Sequence, residues 1–264
     1  MADLLWEVDD GVGLITLNRP ERKNAFSDEM LSRWEEVLVE ARGDDRVRAI
    51  VVTGAGDAFC AGGDVKAMAD APVGPAPTAG TVRQGLIETV HRIPYALERL
   101  DTPVIAAVNG AAVGAGMDMA LMCDMRFAGR SARFSEGYIR AGLIPGDGAC
   151  YFLPRLVGLA KALELLLSAD FVDAAEALRI GIVNRVYDDE VLLAETLAFA
   201  GRLAHSPPVH LRLIKRNVYQ SYQNDLHSAL ELAASHMGIV RTLEDSKEAV
   251  TALLERRPGT YTGR

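Results

Sequence analysis

Two apolar runs of strand length, residues 47–53 and 103–108, each lead into a turn built from glycine and other small residues. The first turn is Phe59-Cys60-Ala61-Gly62-Gly63-Asp64, and the second is Asn109-Gly110-Ala111-Ala112-Val113-Gly114-Ala115-Gly116-Met117-Asp118. A buried strand, a small-residue turn and then helical periodicity predict the connections of a β/α core. Small residues let backbone approach a ligand closely, and free N–H groups at a helix start favour negative charge. Two such turns aimed at one point make a hole for a developing oxyanion. Each turn alone reads more simply as a plain strand-to-helix connection.

The rest of the chain extends this layout. Residues 4–8 and 13–17 predict a hairpin across Asp9-Asp10-Gly11. Ser27 or Asp28 caps a helix whose apolar positions include Met30, Leu31, Trp34, Val37 and Leu38. Residues 71–82, uncharged and broken by Pro72, Pro75, Pro77, Gly74 and Gly80, predict a loop. A helix is expected over 87–100, another over 114–121 and a strand over 123–128. Helices are expected over 151–157, 160–167 and 174–179, a short strand over 183–186, and helix through most of 188–255. The division is a β/α core over 1–190 and a helical region over 191–264, with no sharp linker.

Several function classes are excluded here. The 264 residues carry 28 basic and 36 acidic side chains, a net charge of −8 that disfavours a nucleic-acid or membrane-surface partner. No run reaches the roughly 20 apolar residues of a membrane span. The acidic N-terminus predicts no signal peptide. Cys60, Cys123 and Cys150 lie far apart among small or apolar residues, which predicts buried, reduced thiols and a cytoplasmic protein. The histidines show no metal-ligand spacing. The second turn also fits a nucleotide-binding glycine pattern, but no Tyr is followed four residues later by Lys, and no acidic residue closes a strand at the Rossmann spacing. P-loop and serine-hydrolase motifs are absent too.

Taken together, the motifs resemble the enoyl-CoA hydratase/isomerase (crotonase) family almost end to end. Leu17-Asn18-Arg19-Pro20 with Lys23-Asn24-Ala25 is similar to its opening motif. The two turns, Cys123-Asp124, Phe134, Gly142-Leu143-Ile144-Pro145-Gly146 and Leu153-Pro154-Arg155-Leu156-Val157-Gly158 follow in family order. The resemblance implies an α/β fold, a spiral of ββα units with a helical C-terminal region that builds trimers or hexamers. It implies an acyl-CoA thioester substrate and no cofactor beyond the coenzyme A it carries. The thioester carbonyl would lie between the N–H groups of Ala61 and Ala115. Arg22, Lys23, Ala25, Phe59, Gly62, Gly63, Asp64 and Gly114 would line the substrate.

A family hydratase uses two glutamates. Alignment on the second turn places Asp118 at the first, and alignment on Phe134 and Gly142 places Tyr138 at the second. Tyr, with an ordinary pKa near 10, is a poor base at neutral pH but a usable proton donor. Asp147 follows Pro145-Gly146 and is either a further catalytic carboxylate or the N-cap of the next helix. Glu136 lies two residues before Tyr138, on the same side only if that stretch is extended. Glu164 reads as a solvated helix residue. Residues 138–158 are similar to the ring-opened phenylacetyl-CoA isomerase branch, although Gly146 stands where that branch places an Asp directly after the proline. These departures favour double-bond isomerisation over hydration. Thioester hydrolysis or decarboxylation through the same hole, and a non-catalytic CoA-thioester-binding role, are the alternatives.

Overall fold

The computed structural model describes residues 2–64 and 78–264. Strands β1 (Leu4–Asp9) and β2 (Val12–Leu17) pair antiparallel. Asp10 and Gly11 both take positive φ, 43° and 82°, which matches the strands' right-handed twist and makes Asp-Gly the fitting turn. Helix α1 (Asp28–Gly43) starts at Ser27, whose hydroxyl accepts from the Met30 N–H at 3.1 Å. It buries Met30, Leu31, Trp34, Val37, Leu38 and Ala41, the face expected from their spacing.

The chain then repeats one unit. Strand β3 (Ala49–Gly54) is followed by β4 (Ala58–Cys60) and by helices α2 (Ala79–Glu88) and α3 (Arg92–Glu98). Strand β5 (Val104–Val108) is followed by β6 (Ala111–Val113) and helix α4 (Ala115–Met122). Strand β7 (Met125–Gly129) is followed by β8 (Arg133–Ser135) and a 3-10 turn, Gly137–Ala141. Helices α5 (Ala149–Val157) and α6 (Leu159–Ser168), strand β9 (Val172–Asp173), helix α7 (Ala174–Ile180) and strand β10 (Arg185–Tyr187) close the core. One sheet runs β1-β2-β3-β5-β7-β10 and the other β4-β6-β8-β9, so the two strands of each unit enter different sheets. This is the expected ββα spiral.

Helix α8 (Leu192–Ala204) lies across the first sheet, where Leu192, Ala200 and Ala204 pack with Val51, Ile105 and Phe127. Helices α9 (Pro208–Ser221), α10 (Leu226–Arg241) and α11 (Glu244–Glu255) follow. Asp124 fastens α9 to the core, accepting from the Val104 N–H and the Tyr219 hydroxyl, each at 2.7 Å, with Lys215 Nζ at 2.8 Å. No helix among the described residues is long and apolar enough to cross a membrane.

The structure corrects several expectations. The second sheet went unread because its strands are two or three residues long, too short to show a period of two. Residues 79–82, read as loop, form the first turn of α2, with the Thr78 hydroxyl accepting from the Thr81 N–H. The remainder of that predicted loop, 71–77, lies outside the described residues. The single helix expected over 87–100 is two, because Pro94 lacks an N–H and fits a helix only in its first turn, where α3 places it. Cys60 and Cys123 are buried, but Cys150 is exposed on α5.

Arg126 is a buried cation held by carbonyls. Its guanidinium donates to Ile182 O and Cys123 O, each at 2.6 Å, and to Leu121 O at 3.3 Å. It therefore closes the C-terminal end of α4 against the connection between α7 and β10. Arg126→Met keeps the stem and removes the donors, leaving buried carbonyls unpaired. The expected loss is about 3 kcal/mol of unfolding free energy in urea; a loss within error would mean that water serves those carbonyls.

Candidate active site

The two glycine turns are pressed against each other. Gly62 has φ +79°, and a methyl added to it would lie 2.7 Å from Val113 O and 3.1 Å from Ala115 N. A methyl on Gly116 would lie 2.1 Å from Cys60 O. Glycine is required at both places by contact, and at Gly62 by backbone angle as well. Gly114 is the N-cap of α4 at φ +52° and offers no side chain, and the first bond of the helix is Asp118 N–H to Gly114 O at 3.0 Å. The N–H groups of Ala115, Gly116 and Met117 therefore precede any helical acceptor.

Ala61 does not fit its expected role. Its N–H donates to Lys23 O at 2.9 Å and is not free for a ligand. The Gly63 N–H, two residues on, has no acceptor among the described residues. The motif marks the turn, but which of its amides is spent depends on the distant Lys23 carbonyl, which spacing does not reveal. Phe59, expected against the substrate, is fully buried in the core. Its strand is the end strand of the second sheet, and its ring belongs to the main hydrophobic core. Lys23 is held by Asp57, with Nζ at 2.7 and 2.8 Å from the two carboxylate oxygens. Arg22 is exposed and makes no ion pair among the described residues. Arg19 gathers two of the other positions, donating to Ala25 O at 2.6 Å and lying 3.6 Å from Asp64.

Behind the second turn, four ionisable groups meet. Tyr138 Oη lies 2.7 Å from Asp118 Oδ2 and 2.9 Å from Asp147 Oδ2. Asp118, Glu136 and Asp147 are all buried. Asp147 is not an N-cap: Gly148 holds that position in α5 without any side-chain bond, and the Asp147 carboxylate turns to Tyr138. Tyr138 rises on the 3-10 turn after β8, while Asp118 projects from the first turn of α4. Glu164 is on the surface, paired with Lys161.

A phenol has one proton, so Tyr138 can donate to only one aspartate at a time. Both contacts are hydrogen bonds only when the other aspartate is protonated and donates to the phenol oxygen. Burial favours this state. It raises all three carboxyls above the ordinary range, and for Asp118 the Tyr138 hydroxyl partly offsets the rise. Burial and the neighbouring carboxylates raise Tyr138 further still, so it does not ionise.

Glu136 keeps its proton where a glutamate in the unfolded chain, with a pKa near 4.3, has lost it. The folded state then binds more protons, and stability falls as pH rises above about 4, by about 1.4 kcal/mol per pH unit for one full proton. Glu136→Gln removes this penalty. The variant's stability advantage in urea is expected to grow between pH 5 and pH 8. An advantage that does not change with pH would mean that Glu136 is ionised in the fold.

One neighbour carried no sequence signal. His91, between α2 and α3, donates through Nε2 to Gly146 O at 2.6 Å, and its charge counters the rise at Asp147. Its ring fixes the Gly146 turn from 55 positions away in sequence. A cleft of about 850 Å³ reaches this corner and is lined by His91, Tyr95, Asp147, Tyr151, Phe152 and Tyr219.

Comparison with known proteins agrees with this geometry. The family model described as enoyl-CoA hydratase/isomerase matches residues 7–264. A 1,2-epoxyphenylacetyl-CoA isomerase of Escherichia coli is 38% identical over 265 residues, covering 100% of both chains. A crotonyl-CoA hydratase of Syntrophomonas wolfei is 34% identical, covering 98% of this chain and 97% of its own. The crystal structure of an enoyl-CoA hydratase from Bacillus anthracis superposes with a TM-score of 0.92 at 30% identity, over 99% of this chain and 100% of its own.

Proposed function

The chain belongs to the enoyl-CoA hydratase/isomerase family, and from that premise we propose that it moves a double bond along an enoyl-CoA rather than adding water across it. The observation that carries this reading is the single phenol of Tyr138 within hydrogen-bond distance of two buried aspartates. The amides of Ala115 and Gly63 hold the thioester oxygen as negative charge develops there. Ionised Asp118 takes a proton from one end of a three-carbon unit, and the electron pair shifts toward the thioester as the dienolate forms. Protonated Asp147 then gives its proton to the other end. The site resets when Asp118 passes its proton to the Tyr138 oxygen and the Tyr138 proton moves to Asp147. One proton leaves the substrate, one returns, and no water is consumed.

This cycle draws only on the protein's own acids and bases, so the reading includes no cofactor beyond the substrate's coenzyme A. The reading also includes a homotrimer or a dimer of trimers. Exposed Leu230, Met237 and Ile239 on α10 and Leu253 and Leu254 on α11 support association through the C-terminal helices. Free cysteines support a cytoplasmic setting.

The test is to supply a β,γ-unsaturated acyl-CoA and follow the conjugated α,β-thioester by its ultraviolet absorbance. Conjugation without a hydroxyacyl product supports the reading. Hydroxyacyl-CoA as the main product from the conjugated isomer overturns it.

A further inference from the structure

The amides given to the thioester oxygen, Gly63 and Ala115, each share a peptide plane with a carbonyl that is already engaged. A trans peptide directs its C=O and its N–H to opposite edges of one plane, so a bond to the carbonyl also aims the N–H. For Ala115 that carbonyl is Gly114 O, which accepts from the Asp118 N–H at 3.0 Å. The first turn of α4 therefore orients the Ala115 amide without outside help. For Gly63 it is Gly62 O, which accepts from the Phe26 N–H at 2.8 Å. Gly62 and Gly63 carry no side chains, and Phe26 belongs to a different segment. The aim of the Gly63 amide thus depends on what holds Phe26.

Arg19 holds it. Arg19 Nη1 donates to Phe26 O at 3.0 Å and to Ala25 O at 2.6 Å. Arg19 Nη2 lies 3.6 Å from Asp64 Oδ2, on the residue directly after Gly63. Arg19 Nε lies 3.5 Å from Asp3 Oδ2, which also accepts from the Ser27 hydroxyl at the start of α1. One planar guanidinium therefore ties both flanks of the Gly62–Gly63 peptide to the framework. The Arg19 and Asp64 side chains are only 16% and 14% exposed, so water and salt screen the pair little.

We propose that Arg19 is a positioning residue for the thioester oxygen: by fixing Phe26 and Asp64 on the two sides of the Gly62–Gly63 peptide, it aims the Gly63 N–H at the atom where charge develops. Arg19 acts through the backbone and not on the substrate. Its loss is felt most in the transition state, where the oxygen carries the most charge and a misaligned donor costs the most. The remainder of the turn has its own ties. The Ala61 N–H donates to Lys23 O at 2.9 Å, and Asn24 Nδ2 donates to Ala58 O at 2.8 Å. The turn therefore survives the loss of Arg19 while one of its amides loses its aim. The inference rests on the Gly63 and Ala115 oxygen site of the reading above, and not on whether the double bond then moves or gains water.

The experiment is infrared difference spectroscopy of a saturated acyl-CoA, labelled with ¹³C at the thioester carbonyl and bound to the full-length protein. Two aligned donors lower the carbonyl stretch relative to the free ligand. Arg19→Met keeps the stem and loses the fork, and it is expected to lose about half or more of this downshift, as one of two donors swings away. Its Kd for the same ligand stays within about threefold, because a ground-state carbonyl gains little from either donor. Its kcat on an enoyl-CoA falls by about 10–10²-fold, the cost of misplacing a group rather than deleting it. A full wild-type downshift in folded Arg19→Met would overturn the proposal, whatever the activity. If the methionine variant does not fold, Arg19→Lys decides. One ammonium cannot serve the two carbonyls and Asp64 together, so part of the downshift is lost, and an undiminished one overturns the proposal. No downshift in the wild type would overturn the oxygen site and this inference together. Hydration in the product assay, with the downshift behaving as expected, would sink the isomerase reading and leave the role of Arg19 standing.

Discussion

Asp118→Asn lowers kcat/KM for double-bond migration by about 10²–10⁴-fold, the range for losing a positioned general base. The asparagine keeps the volume of the side chain at the first turn of α4 and can still accept from Tyr138, so the cluster's geometry is preserved. Only the proton acceptor is lost. Deuterium wash-in from heavy water at the deprotonated carbon falls by the same factor, because both processes begin with Asp118 taking a proton. The wild-type rate falls on the acid side as Asp118 becomes protonated. Burial places that limb above the ordinary carboxylate range. A variant with full activity would remove Asp118 from the mechanism.

Tyr138→Phe separates the two halves of the cycle. The ring still fills its place beside Gly114, but the oxygen joining Asp118 to Asp147 is gone. Asp118 can still take a proton and return one to the same carbon, and Ala115 and Gly63 still hold the oxygen. Deuterium wash-in therefore survives within about tenfold, while net migration falls by about 10²–10³-fold, since the proton can reset only through solvent. Nuclear magnetic resonance of the acyl chain reads both quantities in one sample. Loss of wash-in and migration in equal measure would make Tyr138 part of the base itself rather than a bridge. Tyr138→Phe also removes the hydroxyl that contacts both buried aspartates, so some loss of stability accompanies it.

Much of this was legible in the chain. The hairpin, α1, the buried strands and the C-terminal helices follow from local patterns strong enough to survive any tertiary context. Asp118 and Tyr138 stood at the register of the family's two glutamates, and the fold brings the two side chains into hydrogen-bond contact. The second sheet was not legible, because strands such as Ala58–Cys60 are made by pairing across the fold rather than by their own sequence. The spent amide of Ala61 was hidden for the same reason: its acceptor, Lys23 O, is 38 positions away. Asp147 offered two readings, cap or catalyst, and only the conformation of Gly148 separates them. Glu136 shares a side with Tyr138 only in an extended backbone; the chain bends into a 3-10 turn after it, and of the two it is Tyr138 that bonds Asp118. Proton sharing among four groups is a property of their distances, and no spacing rule in a single sequence encodes it.

The central claim is that this site moves a proton along the acyl chain and does not add water. The most direct test is mass spectrometry of a panel of enoyl-CoA thioesters incubated with the protein in heavy water, with fragmentation to locate the double bond. The relay predicts a moved double bond, or deuterium gained in place of hydrogen, with no product heavier by one water. Gain of one water across the double bond as the main outcome would contradict it and make Asp118, with a partner acid, the site of hydration.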